Sequence, residues 1–294
     1  MAKDSKNAKK APMTIDDYYI KKTNPVIKVI IYIALAFWLL VNLFPLYWMF
    51  TFSLKTNEEI YGKNVAGLPH EWHWEFYKAA MDRVDMIKLF ANSIIVAVLT
   101  IAITVVVSLM TTYALTRLKW KGRTLVNSFF MLGLTIPLHA ALVPLYKTIK
   151  LVGIFDSMWA LIIPYAAFSL AMGILISSGF MGEIPKELDE AACIDGCGVW
   201  GTFIRIIVPL MTPALATIGI YTFLQCWNEF LFASTYTCSF KTIPVGVQQF
   251  FGQHTTDWGV VGAALCIATF PTLLIYIFLS RKIQESFMAG AIKG

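Results

Sequence analysis

Acidic and small side chains are concentrated in one short stretch, ELDEAACIDG, which covers residues 187–196 between two long apolar runs. Glu187, Asp189 and Glu190 would fall in the first turns of a helix, where the helix dipole favours negative charge. Gly196 is a natural helix end because glycine adopts the left-handed conformation at low cost. The chemistry that these residues offer is recognition of a positively charged partner.

The small residues of this stretch would let a partner approach closely. Ala191 and Ala192 bury little area but leave room for another backbone, and Asp195 adds negative charge near the end of the helix. On the cytoplasmic side of a membrane, this acidity departs from the excess of Lys and Arg that is usual there. We therefore expect a dedicated partner with a basic cleft; the alternative is a solvated amphipathic linker.

A second candidate stands at the end of a later apolar run, in QCWNEF. Glu229 lies about 20 residues after Pro209, hence roughly 30 Å along a helix, and ionisable groups at such positions normally face the interior of a bundle or water. The amides can donate and accept hydrogen bonds, and the indole offers a face of the kind against which sugars stack. The candidate pore or substrate residues are Gln225, Trp227, Asn228 and Glu229. The alternative is an interfacial Trp beside a solvated carboxylate.

Arrangements for catalysis or metal binding are weak by comparison. HEWH has the spacing H-x-x-H without a third ligand in evidence and is typical of an interfacial cluster. Cys193 and Cys197 stand one helical turn apart without a His or a second Cys pair. No G-x-x-x-x-G-K-[ST] occurs, so ATP binding through a P-loop is not expected. The sequence indicates no enzyme, no bound metal and no cofactor of its own.

The composition of the chain indicates that a membrane surrounds the elements that position these groups. Of its 294 residues 57% are hydrophobic and 14% are charged, with a mean hydropathy of +0.65, whereas soluble domains carry about 25% charged residues. Six runs lack charged residues, and each is longer than the roughly 20 residues with which a helix crosses the hydrocarbon. They are residues 29–54, 89–116, 124–146, 157–182, 206–228 and 258–280. The sequence therefore predicts an all-α membrane protein with six transmembrane helices.

The positive charges of the connections predict the orientation. Most of the 24 Lys and Arg residues fall on one side if both termini share it, and such an excess marks the cytoplasmic side. We expect a cytoplasmic N-terminal tail at residues 1–25 and a transmembrane domain at 26–294, with an outer loop at about 55–88, a cytoplasmic loop at about 183–209 and a cytoplasmic C-terminal tail at 281–294. The pI near 9.0 reflects this topology beside anionic lipid head groups, and no nucleic-acid partner is expected.

The acidic loop also carries a signature. EAACIDG, followed by nine residues and then IIVP, resembles the EAA motif of ABC importer permeases, E-A-A-x3-G-x9-I-x-L-P. The matching positions are Glu190, Ala191, Ala192, Gly196, Ile206 and Pro209, and Val208 replaces the usual Leu. The stretches VPLYKTIKLVGIFDSMWALIIPY, CWNEFLFA and AGAIKG are similar to the permeases of binding-protein-dependent carbohydrate importers, and among them to the maltose-type second permease subunit.

This resemblance implies the type I ABC importer permease fold, with a cytoplasmic coupling helix between transmembrane helices 4 and 5. The implied function is ATP-driven import of a sugar or oligosaccharide, in which this chain forms half of the pore and is not an enzyme. The implied contacts to the ATPase are Glu187, Asp189, Glu190, Ala191, Ala192, Asp195, Gly196, Ile206 and Pro209 in the loop and Gly290, Lys293 and Gly294 in the C-terminal tail.

The implied partners are a second permease subunit, two ATPase subunits that hold ATP and Mg, and an extracytoplasmic solute-binding protein that delivers the sugar. The implied location is the bacterial cytoplasmic (inner) membrane. Two alternatives stay open at this point: a permease of the same class for a non-sugar solute, and an ion-coupled secondary transporter. The second needs ionisable groups inside the membrane, and the six apolar runs contain only His139.

Overall fold

The structure of the chain, a computed structural model, describes residues 25–62, 64–251 and 256–291, with side chains as far as residue 278. Every regular element within these ranges is a helix. In chain order the helices are α1 (Pro25–Phe52), α2 (Asn57–Tyr61), α3 (Glu75–Arg83), α4 (Met86–Thr116), α5 (Arg123–Gly133), α6 (Leu142–Val152), α7 (Trp159–Glu183), α8 (Glu187–Ile194), α9 (Val199–Thr202), α10 (Val208–Leu210), α11 (Thr212–Asn228), α12 (Leu231–Tyr236), α13 (Ile243–Gln248) and α14 (Trp258–Ala291). A 3-10 turn at Leu138–Ala141 precedes α6, and a π-helical turn at Phe203–Ile207 joins α9 to α10.

Four helices are long and apolar enough to cross a membrane, namely α1, α4, α7 and the first part of α14. Two further crossings are available if each of two bent pairs is one span: α5 with Leu138–Val152, bent by 94°, and Val199–Leu210 with α11, bent by 73°. The prediction of an all-α membrane protein is confirmed, and these six units follow the six predicted runs. Of the predicted C-terminal contacts, Gly290 lies near the end of α14, whereas Lys293 and Gly294 lie outside the described residues, as do residues 1–24 of the predicted N-terminal tail.

The third and fifth predicted spans are broken near prolines. In the third, Pro137 has an extended ψ of 124° and disfavours helical geometry in the residue before it, so the chain turns between α5 and α6. In the fifth, the helical segment that begins at Val199 bends at Met211, and α11 begins at Thr212 with proline in its first turn. The fifth long helix thus starts at Thr212, three residues after the predicted end of the cytoplasmic loop at about 209.

The centre of the bundle is the contact between α4 and α7. On α4, Thr104 and Ser108 stand one turn apart against Gly173 of α7, where an added Cβ would lie 3.0 Å from the Ser108 Cβ. Thr112, one turn further along, donates to the carbonyl oxygen of Ile174 at 3.5 Å. Small and hydroxyl side chains let membrane helices approach closely. The spacing of these residues therefore fixes α4 and α7 side by side.

Buried apolar side chains form two separate clusters. The larger cluster joins α4, α7, α11, α12, α13 and α14 and includes Tyr165, Trp227 and Phe232. The smaller cluster lies where α4 and α7 end and α11 begins, and its buried members are Leu109, Tyr113, Met181, Phe203, Ile207, Met211 and Ala214. Because α8 directly follows α7, the smaller cluster anchors the end of the molecule that carries the acidic stretch.

One turn outside the spans is held by a single carboxylate, that of Asp156 between α6 and α7. Its Oδ1 accepts hydrogen bonds from the backbone N–H groups of Cys238 (2.7 Å), Ser239 (2.8 Å) and Phe240 (3.2 Å). Its Oδ2 accepts one from the Ser239 hydroxyl (2.7 Å). These bonds, foremost the one from the Ser239 hydroxyl, lower the pKa of Asp156 from 3.8 to about 2. The ionised carboxylate therefore ties the α6–α7 turn to the chain between α12 and α13.

The first turn of α14 packs against the connection after α1 through glycine. A Cβ on Gly259 would lie 2.5 Å from the carbonyl oxygen of Lys55 and 2.5 Å from the ring of Phe76. Lys55 is itself held in place, because its buried Nζ donates to the carbonyl oxygens of Asn64 (2.8 Å) and Gly67 (2.7 Å). The connection and α14 are thus fixed to each other at close range.

We expect Gly259→Ala to destabilise the protein by about 2 kcal/mol, since overpacking typically costs roughly 1–3 kcal/mol. Gly179→Ala is the matched control, because nothing lies within 4 Å of an added Cβ at that helical position. Thermal unfolding of both variants in one detergent measures the difference. A melting temperature of Gly259→Ala equal to that of Gly179→Ala would contradict the close contact.

Candidate functional site

The helix predicted for the acidic stretch is present as α8. Lys186 is its N-cap residue, and Glu187, Asp189 and Glu190 lie in its first turn. The acidic side chains therefore stand at the end of the helix where its dipole favours negative charge. This part of the sequence prediction is confirmed.

The turn after α8 depends on its glycine. Gly196 has a φ of +80°, a left-handed conformation that residues with a side chain adopt at a cost. Its N–H donates to the carbonyl oxygen of Cys193 at 3.1 Å, and the N–H of Cys197 donates to that of Ala192 at 2.9 Å. These bonds close the end of α8 and redirect the chain toward α9.

Most of the predicted contact residues of this segment are accessible to a partner. The exposed ones are Glu187, Glu190, Ala191, Asp195, Gly196 and Pro209. Ile206 is half-buried within the π-helical turn. Ala192 is only 3% exposed, so its methyl group already packs within the chain. The prediction that Ala192 admits a partner is therefore corrected, and Ala191 alone of the pair faces outward.

Asp189 also departs from the prediction, because its charge is paired within the chain. Its Oδ2 lies 3.1 Å from Nη1 of Arg117, and the side chains of Asp189 and Arg117 are 21% and 5% exposed. Nη2 of Arg117 donates to the carbonyl oxygens of Met181 (2.8 Å) and Ile184 (2.5 Å). Sequence reasoning misses Arg117, because nothing local distinguishes it from the other basic residues of RLKWKGR.

Large apolar side chains are exposed close to α8 in the chain. Ile194 is 87% exposed and Trp200 is 62% exposed, and more than half of Val199 and Ile204 is also accessible. Exposed apolar area of this kind, next to exposed carboxylates, is typical of a surface that binds another protein.

A cavity of about 320 Å³ opens at the break in the third span. Residues 133–138 line it together with parts of α7 and α11. Its polar and aromatic lining residues are Tyr165, Phe168, Ser169, Tyr221, Gln225 and Glu229. Irregular backbone at membrane depth is tolerated where it lines such a cavity, so the broken span and the cavity belong together.

The lining residues repeat with the period of a helix. Along α11 and just beyond its end, the lining residues are four positions apart, namely Tyr221, Gln225 and Glu229. On α7 the spacing is also four, between Tyr165 and Ser169. Residues four apart share one helix face, which brings them to the same wall. The sequence prediction identifies Gln225 and Glu229 as candidates; it misses the aromatic members, which this period signals.

The carboxylate of Glu229 is engaged inside the chain. Its Oε2 accepts from the Tyr165 hydroxyl (2.5 Å) and from the N–H of Ala233 (3.1 Å), and its Oε1 accepts from the N–H of Phe232 (2.8 Å). Glu229 therefore caps the start of α12 and holds Tyr165 of α7 in position. The exposed amide of Gln225 is the more accessible polar group at the cavity.

Trp227 and Asn228 do not join this cavity. Trp227 is only 4% exposed, stacks on Phe223 with ring centroids 5.0 Å apart, and donates from Nε1 to the carbonyl oxygen of Ala268 at 3.2 Å. Asn228 donates to the carbonyl oxygen of Leu224 at 2.9 Å and lines a different cavity between α11, α13 and α14. Two residues correspond to about 200° around a helix, so Trp227 does not share the face of Gln225. Trp227 lines that second cavity as well, and its contact with a sugar stays a prediction.

Comparison with known proteins identifies the family. The model of one family, described as the binding-protein-dependent transport system inner membrane component, matches residues 105–289, more than half of the chain. The chain belongs to this family. The matched residues include α8 and the cavity-lining parts of α5, α7 and α11. As an inner-membrane component with several long apolar helices, this family member is a multi-pass protein of the inner membrane.

Relatives of this inner-membrane component cover nearly its whole length. The sulfoquinovosyl glycerol transport system permease protein SmoH of Agrobacterium fabrum is 34% identical over 265 residues, which are 90% of this chain and 93% of that protein. The trehalose/maltose transport system permease protein MalG of Thermococcus litoralis is 33% identical over 273 residues, which are 91% and 97% of the two chains. The resemblance to ABC importer permeases is confirmed.

Solved structures share the fold of this inner-membrane component. A bacterial ABC transporter involved in the import of the acidic polysaccharide alginate matches with a TM-score of 0.76 at 19% identity and covers 92% of this chain and 99% of the matched chain. The alginate transporter in complex with an alginate pentasaccharide-bound periplasmic protein matches with a TM-score of 0.59 at 15% identity and covers 88% and 94%. The predicted ABC importer permease fold is thereby confirmed.

Proposed function

We propose that this inner-membrane component is the permease subunit of an ATP-driven importer for a sugar or oligosaccharide. In this proposal it forms half of the translocation pore and couples to a separate ATPase through α8. The observation that carries the proposal is the position of α8. Its Glu187 and Glu190 are exposed, and Arg117 links it to α7 through an ion pair with Asp189 and a hydrogen bond to the Met181 carbonyl oxygen. Membership of a transport family supports a role without catalysis in this chain.

The surface around α8 combines negative charge with apolar area. Glu187 and Glu190 would meet basic side chains of a partner, and Trp200 and Ile204 would bury their apolar surface against it. We propose that this partner is an ATPase subunit, and that two such subunits hold ATP and Mg. The proposed C-terminal contacts to the ATPase are Gly290, Lys293 and Gly294.

The cavity is suited to a neutral solute that carries many hydroxyl groups. Phe168 and Tyr221 supply aromatic rings, and the amide of Gln225 can donate and accept hydrogen bonds. The lining carboxylate, that of Glu229, is already hydrogen-bonded within the chain, so it does not require a cationic solute. Relatives named for sulfoquinovosyl glycerol transport and for trehalose and maltose transport support a carbohydrate.

The proposed assembly places both termini and α8 in the bacterial cytoplasm. A second permease subunit would complete the pore as a heterodimer, and an extracytoplasmic solute-binding protein would deliver the sugar. The family description, which names dependence on a binding protein, supports this partner. Closure of the ATPase on ATP would displace α8, and the spans would then expose the cavity alternately to the two sides.

In proteoliposomes we expect sugar uptake only when this chain is combined with its sister permease, the ATPase and the binding protein. Omitting the ATPase, or supplying a non-hydrolysable ATP analogue, should reduce uptake to background, because the sequence carries no P-loop and the proposal assigns ATP hydrolysis to the separate ATPase. A panel of radiolabelled mono- and oligosaccharides measures the effect. Uptake by this chain alone under a proton or sodium gradient would contradict the proposal.

A further inference from the structure

Arg117 stands where three segments meet. It is the first residue after α4, its Nη2 donates to carbonyl oxygens at the end of α7, and its Nη1 faces Asp189 in the first turn of α8. One buried guanidinium therefore contacts α7 and α8 while it remains attached to α4. It fixes the angle at which the chain passes from α7 into α8.

A guanidinium is suited to this junction. The last carbonyl groups of a helix have no partner within the helix and carry partial negative charge, and Met181 and Ile184 provide two such groups at the end of α7. The planar fork of arginine donates in fixed directions and stays charged at every physiological pH. A lysine could not hold both carbonyl groups and Asp189 in the same geometry.

The smaller cluster supports the same junction. Tyr113, one turn before Arg117, packs on Phe203 with ring centroids 5.1 Å apart, and Ala192 of α8 is also buried. At the other end of α7, Tyr165 lines the cavity. The 16 positions between Tyr165 and Met181 correspond to roughly 24 Å of continuous helix, so α7 runs from the junction to the cavity.

We propose that Arg117 is a positioning residue for coupling, which makes α8 move with α4 and α7 as one unit. A displacement of α8 then reaches the cavity wall through α7. Without the guanidinium, α8 pivots about the link at residues 184–186, and the displacement is lost before it reaches the span. This inference rests on the proposed function, in which an ATPase displaces α8.

The test compares Arg117→Gln and Asp189→Asn in the complete complex, with sugar taken up per ATP hydrolysed as the readout. We expect Arg117→Gln to lower this ratio about tenfold, since it removes the ion pair and both charge-assisted hydrogen bonds. Asp189→Asn should lower it about threefold, because the two bonds to carbonyl groups remain. Co-purification of the ATPase should stay at the wild-type level, since Glu187 and Glu190 are unchanged.

Two neighbouring residues provide matched controls. Lys119→Gln and Arg123→Gln remove the same charge from exposed positions in the connection and at the start of α5, and we expect both to keep the wild-type ratio of sugar to ATP. A residue that only stabilised the fold would lower the yield and melting temperature of Arg117→Gln while the surviving complexes kept the wild-type ratio. That result would overturn the inference.

A distance measurement tests the junction independently of transport. Spin labels on the exposed Cys193 of α8 and on Lys119→Cys, in the full chain with its other cysteines replaced by Ser, report the separation of α8 from the end of α4. We expect a narrow distance distribution with Arg117 present and a broad one in Arg117→Gln. An unchanged narrow distribution overturns the inference. If the wild-type complex shows no ATP-dependent uptake, the proposed function is contradicted. The distance measurement needs no transport and still tests whether Arg117 holds α8 in place.

Discussion

Glu190→Lys should abolish ATP-driven uptake, with a loss of about 100-fold or more. A like charge placed against a basic partner costs several kcal/mol, and each ~1.4 kcal/mol corresponds to a factor of ten. Glu190 is exposed in the first turn of α8, so the substitution leaves the packing of the spans unchanged. We expect normal membrane insertion and melting temperature, with reduced co-purification of the ATPase or hydrolysis that the loaded binding protein no longer stimulates.

Asp82→Lys is the matched control for this charge reversal. Asp82 is exposed in α3, in the predicted outer loop and therefore on the side opposite to the proposed ATPase. The same change of net charge at this position should leave uptake intact. Wild-type co-purification and wild-type stimulated hydrolysis in Glu190→Lys would mean that α8 is not the contact to the ATPase.

Glu229→Ala should lower the free energy of unfolding by about 3 kcal/mol. It removes the acceptor of two backbone N–H groups and of the Tyr165 hydroxyl; loss of a helix cap costs roughly 0.5–2 kcal/mol, and a buried donor left without an acceptor costs roughly 1–3 kcal/mol. The start of α12 loses its cap, and the wall of the cavity loses its shape, so uptake should fall together with stability. Glu229→Gln keeps one acceptor oxygen and should lose about half as much. Denaturation of the purified protein in detergent measures these differences.

Gln225→Ala separates stability from solute contact at the same cavity. Gln225 lies one helical turn before Glu229 and is exposed, so we expect its replacement to change the apparent KM for uptake and to leave the melting temperature unchanged. If Glu229→Ala were as stable as Gln225→Ala, the carboxylate would not be the structural cap that its hydrogen bonds indicate.

The crossings of the membrane can be predicted from charge alone, whereas the prolines of the spans do not show which helices break. An ionisable group in the hydrocarbon is costly whatever the geometry of the helix, so charge-free runs mark the spans. Pro45, Pro164 and Pro271 lie inside continuous helices, whereas Pro137 lies in the break between α5 and α6. Neighbouring helices and side chains can satisfy the backbone groups that proline frees. The presence of a proline therefore does not decide whether a helix stops.

The candidate sites divide in the same way into local and long-range features. Helix α8 follows from signals within its own sequence, namely the acidic first turn and the terminal glycine Gly196. The pairs Arg117–Asp189 and Tyr165–Glu229 join distant segments and exist only once the helices pack. The same packing decides that Trp227 is only 4% exposed, whereas Gln225 and Glu229 line the cavity at the break in the third span. A single sequence does not show which distant residues are in contact, so it does not distinguish a covered side chain from one that lines a cavity.

The separation of the two apolar clusters has a consequence for how such a protein diverges over generations. Substitutions that refit the cavity to another solute alter the larger cluster around Tyr165 and Phe232 and leave Phe203 and Met211 in the smaller cluster in place. In the proposed importer, the interior can therefore acquire a new specificity while the docking end is inherited unchanged. One ATPase could then serve several such permeases. A duplicated permease would need to change only the residues around its cavity to transport another solute with the same ATPase.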